Sequence, residues 1–409
     1  MESSNLARGI QFIELGRFKD AIPYLQSALT ENPDDSSTKY YLAYCFYNTG
    51  NYNKASLLAD GLLHKNPYDS DLFSLKARIA QQQDRNVEAM EFINEAISIN
   101  SYEDDYFGIK GGLLLEKKQY ENALEQVNQG LKINPKNSYC LNLRAQILTK
   151  LDRVDEANET VENILHDNPE DSYSHANVGW VELENGNNTK ALEHFKEALL
   201  HDPNFEYARQ GMTTALKSKN FIYNWYLKYS FWIAKKSSKN QWFFVIGIYL
   251  VYRVSFKLLS ANGMTYIAIP LMIAYLLFAL GSWIMDPISN TILNFDKFGK
   301  YLLNSREKIS GYIFGSLLTL GLSFMLFYYI FQIEYLFVLG ITFICTLIPL
   351  PRAFLTLKKR GRQLGIIYGI LMLTIGIIGP FVLETYIAGI TVFIMMLIYT
   401  WIGTFIEDQ

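Results

Sequence analysis

Leu15-Gly16-Arg17-Phe18 returns 34 residues later as Thr49-Gly50-Asn51-Tyr52, and each copy is followed three residues on by an alanine, Ala21 or Ala55. That interval governs the first half of the sequence. Ala21, Ala55, Ala89, Ala123, Ala157 and Ala191 all keep it, and so do the small residues Gly9, Ala43, Ala77, Gly111, Ala145 and Gly179. Pro33, Pro67, Pro135, Pro169 and Pro203 share the register, with Ser101 standing where the remaining proline would be. Three positions recurring in one frame point to a stacked array of identical units. Glycine or alanine lets two helix backbones approach closely, and proline lacks the N–H that a continuing helix needs. Each unit is therefore a pair of packed helices that cannot bury its apolar face alone and must stack on its neighbours.

On these residues the segment resembles the tetratricopeptide repeat (TPR) family, whose unit is a helix-turn-helix with small residues at the crossing and a proline after the second helix. The resemblance implies an all-α chain in which residues 1–203 form six repeats, with 204–218 as a capping helix. The third repeat fits least well, with Asp84-Arg85-Asn86 at its turn and no closing proline, and its local geometry is left open.

The family's groove is lined by the first helix of each repeat. Carried over position by position, the groove-facing register selects Tyr40, Tyr44 and Tyr47, then Arg78 and Gln81, then Asn142 and Gln146, and finally Asn177 and Trp180. The three tyrosines share one helix face by their spacing. Amides suit the backbone of an extended peptide, and aromatic rings supply contact area at low entropy cost. Packing between repeats is the competing role, above all for Tyr40 and Tyr47. Leu6 and Ile10 stand where the family's chaperone-tail binders carry a Lys and Asn pair, which argues against that ligand.

Charge divides the chain at the same place as the repeats. Residues 1–218 hold 33 of the 40 acidic residues but 21 of the 37 Lys and Arg, leaving an acidic first part and a basic, apolar remainder. An acidic repeat domain is the wrong sign for phosphate contacts, so nucleic acid is not an expected partner. Cys45, Cys140 and Cys345 lie too far apart in sequence to suggest a disulfide framework or a thiolate metal site. The opening residues read as an amphipathic helix rather than a secretory leader.

From residue 241 the pattern becomes a series of apolar runs near the ~20 residues that cross a bilayer. Six are expected, at 242–259, 264–285, 312–331, 335–350, 364–383 and 386–405, forming a polytopic transmembrane domain over 241–409. Residues 219–240, with Trp225 and Trp232 among lysines, read as an interfacial amphipathic helix, and 286–310 as a second such segment on the inner face. Asp286-Pro287 reads as a helix end. Lys and Arg gather before the first run, between the second and third, and between the fourth and fifth. The positive-inside bias then puts both termini and the repeats on the cytoplasmic side, as in a bacterial inner membrane. Arg253 and Lys257 break the bias from within the first run. Depth alone suggests ion pairing with Glu334 or Glu384, with snorkelling as the alternative.

No metal-ligand, nucleotide-binding or nucleophile motif occurs, so neither cofactor nor catalytic residue is expected. The function expected is a membrane-anchored adaptor or scaffold that binds a peptide or protein in its groove, against the bilayer and possible membrane partners. The alternative is a transporter, channel or intramembrane enzyme subunit regulated by the repeats. Against that alternative stand the few polar groups inside the apolar runs.

Overall fold

A computed structural model describes residues 4–167, 169–236, 238–297, 299–382 and 384–407, and these are helical with no strand among them. Residues 1–3 of the repeat segment and Leu383 at the end of the fifth expected run lie outside that set. The chain falls into two compact units, Met1–Asn187 with Glu197–Pro203, and Asn188–Lys196 with Asn204–Gln409.

Twelve helices follow the 34-residue period: α1 (Ser4–Glu14), α2 (Phe18–Glu31), α3 (Ser36–Asn48), α4 (Tyr52–Lys65), α5 (Ser70–Gln82), α6 (Asn86–Ile99), α7 (Asp104–Glu116), α8 (Tyr120–Ile133), α9 (Ser138–Lys150), α10 (Val154–Asp167), α11 (Ser172–Glu184) and α12 (Asn188–His201). Their ends have local causes. Asp35, Asp69, Asn137 and Asp171 cap α3, α5, α9 and α11 by accepting backbone N–H bonds in the first turn. Each turn inside a repeat needs one residue in the left-handed region. Gly16, Gly50 and Gly186 supply it in three repeats, while Asp84, Lys118 and Asp152 adopt it in the others at φ of 59°, 58° and 59°.

The third repeat, whose geometry the sequence left open, ends its second helix as its neighbours do. Asn32, Asn66, Asn100 and Asn134 end α2, α4, α6 and α8 at φ of −135°, −132°, −134° and −133°. Asn100 donates its backbone N–H to Ala96 O at 2.9 Å, as Asn66 does to Leu62 O, so the helix stops without help from proline. Within the first unit the small residues lie at the crossings, with Ala21, Ala43, Ala55 and Ala77 fully buried, and Leu25, Ile79, Ile93 and Ile147 fill the core between repeats.

The second unit continues with α13 (Glu206–Lys217), α14 (Phe221–Ala234), α15 (Ser238–Ala261), α16 (Thr265–Phe295), α17 (Gly299–Leu302), α18 (Ser305–Phe331), α19 (Glu334–Thr346), α20 (Pro349–Leu355), α21 (Lys359–Ile378), a 3-10 turn at Gly379–Phe381 and α22 (Thr385–Glu407). Five stretches of described residues are long and apolar enough to cross a membrane: Phe243–Ala261, Ser305–Phe331, Glu334–Leu355, Lys359–Phe381 and Thr385–Gly403. The two arms of α16, Thr265–Gly281 and Trp283–Phe295, meet at 86° and make a sixth if taken as one span. The α19 and α20 stretch is the centre of the bundle, with 61% of its apolar window buried, whereas none of the α15 window is. Cys345, Ile348, Met372, Val392, Met396 and Tyr399 form the core around it.

Two expected boundaries differ. The fourth run does not stop at residue 350, because helix resumes at Pro349 and runs to Leu355: Pro349 occupies the first turn of α20, where its missing N–H costs no bond. Nor does Asp286-Pro287 end a helix. It lies within the second arm of α16, where Thr291 Oγ1 donates to Pro287 O at 2.8 Å and Lys217 Nζ stands 3.2 Å from Asp286 Oδ1. The stretch 286–310, expected as one inner-face segment, is thus divided among α16, α17 and the start of α18. A capping box starts α18: Asn304 accepts from the backbone of Arg306 and Glu307, and Glu307 accepts from Asn304 N at 2.7 Å.

Candidate peptide groove

The odd-numbered helices of the first unit contact one another in sequence and carry the candidate residues. Tyr40 packs edge-on against Tyr41 at 5.8 Å, and Tyr44 against Phe18 at 5.9 Å. Both are half-buried, and burial pushes the Tyr40 hydroxyl up to about 12. Tyr47 lies 6.2 Å from Tyr52. Burial raises its hydroxyl too, against the opposing pull of Arg78, which hydrogen-bonds to it.

Arg78 is the hub of the strip. Its guanidinium lies 5.8 Å from the ring centre of Tyr139 and 3.9 Å from Asp105, and its side chain keeps 30% exposure. Tyr139 was not selected from the sequence. It reaches the face because α7 carries glycine where neighbouring repeats carry side chains: a β-carbon on Gly108 would come within 2.7 Å of the Tyr139 ring, and one on Gly112 within 3.2 Å of its hydroxyl. Two glycines four apart on a groove-facing helix were the available signal. Burial pushes the Tyr139 hydroxyl up to about 12, with Arg78 opposing.

The amides mostly join repeats. Gln81 Nε2 donates to Glu116 at 2.6 Å, and Gln146 Nε2 to Asn177 Oδ1 at 2.7 Å. Asn142 is 1% exposed and donates to Ser138 O at 2.8 Å and to Ser174 Oγ at 3.1 Å. Asn177 is likewise buried, and Trp180 is half-buried on α11. Tyr44, Tyr47, Arg78 and Tyr139 are all half-buried, with the Arg78 guanidinium over the Tyr139 ring and hydrogen-bonded to Tyr47. Acids lie alongside: Asp71 accepts from Tyr106 at 2.5 Å, and Asn137 donates to Asp104 and Asp105 at 2.7 and 2.8 Å.

In the second unit Arg253 and Lys257 are exposed on α15, and among the described residues neither forms an ion pair with Glu334, Glu384 or any other carboxylate. The α15 helix that carries them is peripheral, packed on α16 with its apolar window unburied. Glu334 instead meets the Tyr386 hydroxyl, and Glu384 is exposed. Burial pushes the Cys45 thiol up to about 11 and the Cys140 thiol up to about 12, which keeps both protonated at neutral pH. No group of three or more His, Cys, Asp or Glu at metal-binding spacing occurs among the described residues.

The tetratricopeptide repeat model matches residues 12–79 and 114–177. Similar solved structures include the Cut9-Hcn1 hetero-tetramer of the APC/C, 18% identical at a TM-score of 0.45, covering 52% of this chain and 42% of that one. PilF of Pseudomonas aeruginosa is 16% identical at a TM-score of 0.40, covering 51% and 95%. YrrB, described as a TPR protein with an unusual peptide-binding site, is 18% identical at a TM-score of 0.32, covering 45% and 95%. The chain thus spans less than half the length of the first of these. No curated protein sequence matches it.

Proposed function

We propose, with the tetratricopeptide repeats of residues 12–177 as the premise, that this protein is a membrane-anchored adaptor without catalytic activity of its own. Its repeats bind a peptide or protein partner on the cytoplasmic side, and its apolar helices hold the complex at the bilayer. Repeats of this kind serve protein interaction, and the observation that carries the reading is the partly exposed Arg78, set over the Tyr139 ring and bonded to Tyr47 beside Tyr44. An arginine held by one tyrosine ring and one tyrosine hydroxyl offers a fixed cation and contact area to an extended peptide bearing an acidic or carbonyl acceptor. Five or six bilayer-length helices support the anchor, and the Lys and Arg clusters on alternate loops favour an inner membrane with the repeats inside.

The test is affinity capture from mild detergent with cross-linking mass spectrometry, comparing wild type with a Tyr44→Ala, Arg78→Glu double variant. A partner cross-linked to α3, α5 or α9 in wild type should fall about tenfold or more in the variant, as expected when an aromatic and a charged anchor are lost together. Equal capture by a folded, membrane-inserted variant would remove the groove from the reading.

A further inference from the structure

The second unit contains a cleft of about 760 Å³. Its floor is apolar: Leu192 from α12, Met212 and Leu216 from α13, Ile292 and Leu293 from α16, and Leu302 from α17. The size falls within the roughly 300–1,000 Å³ of pockets that enclose a small ligand. Leu293 is 5% exposed at the bottom. The walls are tied together, since Arg209 donates to Leu302 O at 2.9 Å and the Phe195 ring fills the space where a β-carbon on Gly211 would stand.

Charge is arranged in two levels. Lys217 is buried in the wall and is neutralised there by Asp286 at 3.2 Å, so it needs no charge from a ligand. At the mouth stand four exposed groups, Lys196 and Lys219 with Glu193 and Asp296. Two cations and two anions rimming an apolar floor fit neither a simple anion nor a hydrocarbon. They match a headgroup that carries both signs on a long apolar tail. Beside the mouth Phe295 and Tyr301 are exposed, so an apolar path continues outward from the floor.

We propose that the cleft binds one phospholipid whose headgroup bears a phosphate and a primary ammonium. An acyl chain lies along Leu192, Met212, Leu216 and Leu293, the phosphate meets Lys196 and Lys219, and the ammonium donates to Glu193 and Asp296. The assignment rests on the membrane reading above. It makes the inner-face arm of α16 and the helix that follows the repeats a lipid-filled joint, so that lipid composition bears on how firmly that joint is held.

The experiment places the full-length protein in phosphatidylcholine vesicles with trace phosphatidylethanolamine or phosphatidylglycerol, each carrying a photoactivatable acyl chain, and maps the labelled peptides. The ethanolamine probe should label 206–219 and 289–303 in preference to the glycerol probe. Met212→Trp, which fills the floor, and Lys196→Gln with Lys219→Gln, which strips the phosphate contacts, should each lower that labelling about tenfold. Labelling of α22 in the same samples serves as the internal reference. Equal labelling by both probes, or Met212→Trp labelling like wild type, overturns the assignment, as does a cross-linked peptide occupying the cleft. If the protein does not float with vesicles, the membrane reading fails along with it, whereas flotation without labelling at the cleft sinks the cleft alone.

Discussion

Both parts of this chain bring helices together over glycine, but on different plans. In the repeats a β-carbon on Gly9 would meet Leu25 Cδ2 at 2.6 Å, and one on Gly111 would meet Val127 Cγ2 at 2.5 Å. In each case the partner lies 16 residues ahead, so one rule written in the period covers both crossings. In the bundle Gly311 faces the backbone of Asn290, Gly321 faces Ile344, Gly365 faces Ala353 and Gly376 faces Thr342. No common interval relates these pairs. A repeat encodes its packing locally and reuses it, whereas the bundle settles each crossing by a separate contact.

That contrast can be broken by enlarging one glycine in each part. A β-carbon on Gly376 would lie 2.1 Å from Thr342 Oγ1 and 2.6 Å from its Cβ. Thr342 is fully buried and tied to Val338 O at 2.7 Å, so it cannot move aside. Gly376→Val should destabilise the bundle by about 3 kcal/mol or more, while Gly111→Val, facing the end of one valine, should cost about 2 kcal/mol. Thermal unfolding of the full-length variants in detergent checks the order, and a milder effect at Gly376 would refute the contrast.

Asp35→Ala removes a cap used in several repeats and should cost about 1 kcal/mol. Thr38, bonding to the Asp35 carboxylate, holds its proton affinity below the usual carboxylate range. A lowered folded-state value means that the contribution is present above that range and is lost as pH falls through it. Acid titration of the repeat signal should therefore be shallower in Asp35→Ala than in wild type, and parallel curves would rule out this role.

The smallest effects sharpen the idea of a shared turn. Gly50→Ala forces a β-carbon into the left-handed region and should cost about 1 kcal/mol, while Lys118→Gly relieves the same strain in another repeat and should stabilise by about 0.5 kcal/mol. Effects of the same sign in denaturant titrations would show that the turns are not equivalent.

Much of the repeat architecture was legible because its causes are local. The small residues, the Asx caps, the turn residues and the helix-ending asparagines sit at fixed offsets, and each acts within a few residues of itself. Ser101 mattered little for the same reason, since Asn100 already stops its helix. The capping box Asn304-x-x-Glu307 was equally readable, although the segment containing it was expected to be one amphipathic stretch. At the candidate site, Tyr44, Tyr47 and Arg78 could be picked from the register, but Tyr139 could not, because its place depends on glycines in the preceding repeat.

The sequence by itself determined the period, the helix ends, the acidic and basic halves and the lengths of the apolar runs, all of which follow from residue type and near neighbours along the chain. Only the tertiary structure decided that Asn142 is enclosed between repeats, that α16 continues through Asp286-Pro287, that Arg253 and Lys257 lie on a peripheral helix, and that a charged-rim cleft forms beside α13. Each of these depends on side chains far apart in sequence meeting without any repeating interval, and hydropathy records that a helix is apolar without recording which face it turns to which neighbour.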